Sequence, residues 1–414
     1  MFLERLFEKR SNDTSWSMSN PPEWVFDMFG GKETASGERV SEGTALMHPD
    51  VFACVNVLSD DIAKLPIHTF QKTKNGIVSA NHPVGKLLYR KPNQYMTAFV
   101  WKKLMAVHVC IWGNAYSAIK ADKDGNIVEL LPLNPAKTFP YIDPKSGSLW
   151  YETTINSKKV ELYADEVLHY KGLSEDGITG KTPISVIREN IGAQSAATKY
   201  SSRFYKNDAT PRGILKVPSI INEDAKKAAR REWKRVNSGE NIAIIDAGLD
   251  YSSIAMPLQD AQFIETMKYN KAQIAAIYKV PLHKINELDR ATFNNTEHLA
   301  IEYVKNTLQP WIVSGEQENN NKLFTDHETD VLGFYTKYNV NSELRGDAKS
   351  RAEFYEIMHR ISALNADEIR EYEEKNSIPH GDRHIISLNY TFLDILEKYQ
   401  MAKAGASKGG GEGG

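Results

Sequence analysis

Between residues 183 and 278 the sequence lays out two long helical stretches separated by a compact mixed insert. The first, PISVIRENIGAQSAATKYSSRFYKND at 183–208, places Pro183 in its first turn, where a missing N–H costs no helical hydrogen bond. It predicts a helix roughly 39 Å long, with Ala193, Ala197, Tyr200 and Phe204 along one face. Its small residues, Gly192, Ala193, Ser195, Ala196, Ala197, Ser201 and Ser202, permit close helix–helix approach, though an ordinary surface helix also accounts for them. Asp260–Tyr278 predicts the second helix, stopped by Val280-Pro281. Inside the insert, Gly213–Val217, Ile242–Asp246 and Tyr251–Ala255 read as strands, Asn222–Val236 as a charged helix and Ser238-Gly239 as a turn. A helix that goes out and a helix that returns, with an α/β knob at the tip, is the architecture this pattern predicts.

The segments on either side have different characters. Residues 1–45 are a mostly polar lead-in whose Trp16, Trp24 and Phe29 are candidates for docking onto a neighbour. Val51, Val55, Leu58, Ile62 and Leu65 recur at helical spacing over 47–65, between His48-Pro49-Asp50 and Pro66. Ile67–Gln71 reads as a strand, followed by a turn at Asn75-Gly76 and another strand. Thr97–Ile111 predicts a helix with Phe99, Leu104, Val107 and Ile111 inward, ending at Gly113-Asn114. Short strands follow at 115–121, 127–132, 138–142, 149–155, 159–162 and 167–170, so residues 1–175 predict an α/β module with an antiparallel sheet. Beyond the second long helix, His283–Asn295 is polar and aperiodic. A long helix over 296–323 carries Pro310, which removes one backbone donor and predicts a kink. A strand at 332–340 and helices at 342–358 and 365–375 come next, and the Gly/Ser/Lys-rich end, 403–414, predicts a flexible tail.

Composition excludes several classes. With 41% hydrophobic and 25% charged residues, the chain has globular proportions. No apolar run approaches the roughly 18–20 residues of a membrane span, and Met1–Arg10 lacks the pattern of a secretory signal. Lys plus Arg is 51 against 53 Asp plus Glu, a net charge of −2, without the basic excess of a tight nucleic-acid binder. Two cysteines, Cys54 and Cys110, cannot build a disulfide scaffold or a Cys-rich zinc site, and read as buried thiols.

Motifs for chemistry are few. Gly180-Lys181-Thr182 resembles the end of a phosphate loop, but Glu175 stands where the pattern needs glycine, and a loop entering a helix is the better account. His380 and His384 are four apart, yet Pro379 and Gly381 argue against the helix that would put both on one face. Asp326–Asp330 is an acidic loop with the donors for a divalent ion, or simply a solvated one. There is no HExxH, and the GxSxG run Gly405–Gly409 lies in the Gly-rich end rather than between a predicted strand and helix. No catalytic residue, cofactor or metal is expected.

In order and spacing, several stretches resemble the portal proteins, or head–tail connectors, of long-tailed bacteriophages. They are Leu87-Leu88 with Lys91-Pro92-Asn93 and Thr97, Gly113-Asn114-Ala115-Tyr116, Leu131-Pro132-Leu133-Asn134-Pro135, Pro183-Ile184-Ser185 and Pro211-Arg212-Gly213-Ile214-Leu215. Glu265–Asn270, Gln273–Pro281, Ala291–Glu297 and Thr307-Leu308-Gln309-Pro310 complete the series, and the resemblance spans about 41–390. Lys279 departs from it, standing where a Gly or small residue is expected.

The resemblance implies an α+β, portal-type fold and a ring, typically of twelve subunits, at one capsid vertex. Its parts would be a lead-in (1–45), a wing (46–182), stem helices (183–208 and 259–281) and a clip (209–258). A tunnel loop (282–295), a kinked helix with wing return (296–340), a crown (341–390) and a tail (391–414) would follow. Double-stranded DNA would pass through the channel, beside tunnel-loop residues Asn286, Glu287, Asp289, Arg290, Thr292, Asn294 and Asn295. The clip, with Lys226, Lys227, Arg230, Arg231, Lys234 and Arg235, would face the terminase large subunit and the head–tail adaptor. Major capsid and scaffold proteins are further implied partners, the terminase would supply ATP hydrolysis, and the virion would be assembled in the host cytoplasm. A near-neutral subunit suits a channel that guides DNA without gripping it, because each neutralised phosphate adds affinity that resists sliding. The rival readings are a DNA-processing enzyme, which the failed phosphate loop disfavours, and a head-assembly adaptor without a channel.

Overall fold

The computed structural model describes residues 32–74, 76–155, 158–206, 213–216, 223–224, 226–227, 231, 250–253, 260–286, 296–340, 348–373, 375–385 and 401. The chain divides into two compact units, Met1–Phe293 with Glu302–Tyr338, and Asn294–Ile301 with Asn339–Gly414.

In the first unit a short ribbon, β1 (Lys32–Glu33) with β2 (Arg39–Val40), leads into α1 (Glu42–Ala45) and α2 (Pro49–Ala63). Helix α2 begins at His48-Pro49 as its sequence predicts and buries Val51, Val55, Leu58 and Ile62. Next come β3 (Ile67–Thr73), β4 (Gly76–Ser79) and α3 (Pro83–Tyr89), a helix the sequence reading lacks. Helix α4 (Ala98–Trp112) has its N-terminus capped by Thr97 and is closed by Gly113 in the left-handed conformation, φ 73°.

The strands β5 (Asn114–Ala121), β6 (Ile127–Leu133), β7 (Phe139–Ile142), β8 (Leu149–Ile155), β9 (Lys158–Tyr163) and β10 (Val167–Lys171) follow the expected segments closely. They form two three-stranded antiparallel sheets, β10-β5-β6 and β7-β8-β9, rather than one. Strand β5 is buried from Asn114 to Ile119 because both its faces are covered. Ala115 and Ile119 join Trp101, Met105 and Val109 in one core, while Tyr116 and Ala118 join Tyr151, Leu162 and Val167 in another.

Two helical faces differ from expectation. Helix α4 buries Ile111 and packs Leu104 on the core as expected, but Phe99 is exposed and Trp101, Met105 and Val109 fill the rest of the inward face, because the tryptophan supplies the largest apolar area. Helix α5 (Pro183–Lys206) buries Ile184, Ile187, Ile191 and Gln194, not the alanine stripe; Ala193 and Tyr200 are exposed. Helix α6 (Asp260–Ile277) packs with α5. At the insert, β11 (Gly213–Lys216) pairs antiparallel with β12 (Asp250–Ser253). The expected strand at 242–246 and the side chain of Phe204 lie outside the described residues.

The 296–323 helix is interrupted. Helix α7 (Thr296–Tyr303) runs into a π-helical turn, Val304–Leu308, before α8 (Gln309–Lys322). Pro310 sits in the first turn of α8, so its clash with the carbonyl four residues back falls on the widened turn. Strand β13 (Phe334–Tyr338) then pairs with β3, 261 residues earlier at Gln71–Leu332, closing a β13-β3-β4 sheet.

The second unit contains α9 (Ala348–Arg360) and α10 (Ala366–Tyr372), the latter with a reciprocal Asn365/Glu368 cap. Glu373 ties the two, accepting from Tyr355 at 3.0 Å and pairing with Arg351 at 3.0 Å. Residues 342–347 and 402–414 lie outside the described residues. No described helix is long and apolar enough to cross a membrane.

Candidate functional site

Of the seven tunnel-loop candidates only Asn286 is described; Glu287, Asp289, Arg290, Thr292, Asn294 and Asn295 lie outside the described residues. What the structure does give is the mount from which that loop departs. Helix α6 ends in a Schellman arrangement: Val280 N donates to Ala275 O and Lys279 N to Ala276 O. Lys279 occupies its left-handed position at φ 52°, which explains why a glycine suits that place. Tyr278 and Val280 are buried, and Tyr278 Oη donates to Cys110 O at 3.1 Å. Thr307, in the π-helical turn, donates its hydroxyl to Lys279 O at 2.7 Å.

A 3-10 turn, Leu282–Ile285, follows, and Asn286 leaves it in the left-handed conformation, φ 61°. Lys284 pins this turn: its ammonium lies 2.7 Å from Asp61 of α2 and 4.2 Å from the centre of the Tyr303 ring. Asp61 is buried and also meets Lys64 at 2.7 Å. Burial alone would push its carboxyl pKa up, but hydrogen bonds and charges from Lys284 and Lys64 outweigh that and hold it below the usual value. The departing chain is thus fixed by a buried tyrosine, a threonine clamp and a charged anchor.

Relief of the Lys279 strain gives a prediction. A left-handed non-glycine residue costs roughly 1–2 kcal/mol, part of which glycine returns through its more flexible unfolded state. Lys279 is exposed, so little packing is lost. Lys279→Gly should raise stability by about 0.5–1 kcal/mol in a denaturant titration; a lowered midpoint would mean that the lysine side chain matters more than its backbone.

Among the insert candidates, Lys226, Lys227 and Arg231 are helical, while Arg230, Lys234 and Arg235 lie outside the described residues. Lys226 pairs with Glu223 at 3.1 Å and Lys227 approaches Asp224 at 3.9 Å, all on exposed side chains. These one-turn pairs blunt the basic character of the surface and contribute little stability.

The other chemical motifs have structural roles. Lys181 of the Gly-Lys-Thr run pairs with Glu175 at 2.6 Å. Gly180 is held by Asn114, whose Oδ1 accepts from Gly180 N and whose Nδ2 donates to Gly180 O, both at 2.7 Å. This clasp went unseen in the sequence, where Gly113-Asn114 and Gly180 are 66 residues apart and signalled only as separate motifs. In the acidic loop, Glu328 caps Thr325 and meets His82 at 3.0 Å. Asp367 accepts from Ile378 N at 2.9 Å beside Gly381. No cluster of three metal-ligating side chains occurs among the described residues. Burial raises the Cys54 thiol to about 12 and pushes Cys110 up as well, so neither is a ready nucleophile.

Comparison with known proteins bears on the same region. A family model of phage portal proteins matches residues 49–374. The portal protein of Enterobacteria phage HK97 is 27% identical over 361 residues, 85% of this chain and 83% of its own. The probable portal protein of Streptomyces phage phiC31 is 30% identical over 379 residues, 87% of this chain and 82% of its own. An HK97 family phage portal protein from Corynebacterium diphtheriae has a similar fold, with a TM-score of 0.56 at 18% identity over 73% of this chain and 96% of that one. A chain from the neck of a native gene transfer agent particle, computed with C12 symmetry, gives 0.56 at 17% identity over 81% and 93%.

Proposed function

This chain belongs to the phage portal protein family, and on that premise we propose that its copies close into a ring at one capsid vertex, through which double-stranded DNA is packaged and later ejected. The observation that carries the reading is the match along 49–374, which takes in the α5–insert–α6 excursion and the loop mount. Twelve copies are the proposed number, in keeping with the twelvefold neck of the gene transfer agent particle. A closed ring requires heterologous contacts, one face of a subunit on a different face of the next.

In this reading α5 and α6 are the stem, and the 209–258 insert is the clip that meets the terminase large subunit and the head–tail adaptor. The loop continuing from Asn286 lines the channel. The Lys284–Asp61 anchor gives that loop a firm base, so force on it is passed to α2 rather than lost in local bending. Residues 46–182 form the wing and 341–390 the crown, with capsid and scaffold proteins as further partners. The motor's ATP hydrolysis belongs to the terminase, and the ring is a virion part put together in the host cytoplasm. Paired lysines in the clip and a net charge of −2 fit a passage that DNA crosses without being held.

Light scattering on the purified chain, with negative-stain imaging of the same peak, tests the proposal. The expected result is a ring of about twelve subunits around an opening wide enough for duplex DNA, about 20 Å. A species that stays monomeric under every assembly condition, or a ring without such an opening, would overturn it.

A further inference from the structure

One cavity in the first unit, of about 620 Å³, is not used by anything described so far. That volume falls in the range of sites that enclose a small molecule, roughly 300–1,000 Å³. It lies between Leu58 and Ile62 of α2, Trp101 and Val109 of α4, and Trp311 and Ile312 of α8. Its walls are mainly apolar and rich in rings, with Tyr170, Tyr278 and Tyr338 joining the two tryptophans. The hydroxyls of Tyr170 and Tyr278 are already spent, on Asn319 Oδ1 and Cys110 O. Walls of this kind suit a flat, apolar body held by a few polar groups.

The charged groups of the lining are all of one sign. Lys102, Lys171, Lys181 and Lys279 line the cavity, and no aspartate or glutamate does. Lys181 is answered by Glu175 at 2.6 Å, from outside the lining, and Lys171 donates to Gly177 O at 2.8 Å. Lys102 is the buried one, 7% exposed. Its ammonium donates to Leu65 O and, among the described residues, meets no carboxylate. Burial, with no charge to offset it, lowers its pKa to about 8, so at pH 7 it is still mainly an ammonium. A buried cation that uses one N–H of three is costly, and an anion brought beside it would offset that cost.

We propose that this cavity is a binding site for a small aromatic carboxylate, its ring system against the tryptophan and tyrosine walls and its carboxylate on the Lys102 ammonium. The charge complement selects the anion, and the rings select a flat body over a branched one. Tyr278, Lys279 and Thr307, which hold the loop mount, are also lining residues, so an occupant braces that mount from behind. The inference does not depend on the portal reading.

Titration calorimetry on the full-length chain at pH 7 tests it, with naphthoate as the probe and naphthylmethanol, a neutral molecule of nearly the same shape, as its control. A charge-assisted hydrogen bond predicts that naphthoate binds at least about tenfold more tightly than the alcohol. In Lys102→Met, which keeps the apolar stem and removes the charge, the two affinities should come within about threefold of each other. A role in folding alone would not move that ratio. The comparison in the unaltered protein decides the matter if the variant does not fold. Equal affinities for the two probes, no saturable naphthoate binding below about 1 mM, or a preference that survives in Lys102→Met would overturn the proposal. So would binding to single subunits that is lost in rings, which would assign the cavity to a neighbouring copy. Assembly state is read separately, so failure here leaves the ring proposal standing.

Discussion

Gly180→Ala is expected to destabilise the first unit by about 3–5 kcal/mol, the sum of an overpacking penalty and lost buried hydrogen bonds. A Cβ on Gly180 would lie 2.1 Å from Gly113 O, a backbone atom that is itself fixed by Gly172 N at 2.8 Å. The neighbouring segment cannot retreat easily, because Asn114 grips both polar groups of the Gly180 peptide and also donates to Trp112 O. Gly113 is constrained from the other direction: its φ of 73° caps α4, and its own Cβ would come 2.3 Å from Lys181 O. Two glycines therefore let two backbones touch, and Asn114 locks the contact. Gly43→Ala is the control, since only Ser41 Oγ at 3.9 Å is near and the site is helical; it should change stability by less than about 1 kcal/mol. Equal denaturation midpoints for the two variants would sink the argument. Against a whole-domain stability of about 5–15 kcal/mol, the Gly180 effect should also be visible as lost soluble protein.

That clasp illustrates what could be read in advance and what could not. Periodicity marks α2, α4, α5, α6 and the strands β5 to β10 nearly to the residue, because amphipathic spacing and turn chemistry are local. The Gly113-Asn114-Ala115-Tyr116 run could be quoted as a motif, but its reason lies 66 residues away at Gly180, and nothing local encodes that partner. The Gly-Lys-Thr run reads in the sequence as a loop entering a helix, and so it is; what the sequence does not show is that its glycine serves a backbone contact with Gly113. On α4 the period holds and Ile111 is inward as expected, but Phe99 faces out and Trp101 in; on α5 the face marked by Ala193 and Tyr200 is the outer one. Counting apolar residues does not reveal that Trp101, or the Ile184–Ile187–Ile191 row, has the larger area to bury. Lys279 was legible as an oddity, and its φ of 52° supplies the cause. The joining of β13 to β3 needed the tertiary structure, although both strands were foreseen singly. The assignment of side chains to a channel, Asn286 included, rests on the resemblance and not on geometry.

Acid should destabilise the first unit well above the carboxylate range, and His169 is the main reason. It is buried between Asn114 and Tyr151, with Nε2 3.0 Å from Asn114 Oδ1 and Nδ1 3.1 Å from Tyr151 Oη. The Asn114 amide nitrogen is already committed to two carbonyls, so its Oδ1 faces the ring and accepts from Nε2–H; Nδ1 then accepts from the tyrosine. Such a neutral ring has no room for a second proton. Burial, followed by the positive charges of Lys171 and Lys322, lowers its pKa from 6.5 to about 3. The unfolded chain takes up a proton near pH 6.5 that the folded chain refuses, so this stability is complete above 6.5 and drains away as pH falls toward 3. One such group costs about 1.4 kcal/mol per pH unit, hence about 2 kcal/mol between pH 6.5 and 5. His108, edge-on to Trp112 and lowered to about 4 by burial, adds in the same direction. The carboxylate of Asp61 acts in a lower window, since its pKa is depressed and its contribution fades only as pH falls below the usual Asp value of about 3.8. His48 and His68, also lowered by burial, add to the same effect, so denaturant titrations at pH 7, 6 and 5 should show stability falling by at least about one proton's worth of slope below pH 6.5. In His169→Gln the slope should shrink by about one proton, whatever that variant's starting stability. A flat profile from pH 7 to 5, or an unchanged slope in His169→Gln, would show that His169 takes up its proton in place and that the Asn114–His169–Tyr151 network is looser than its distances imply.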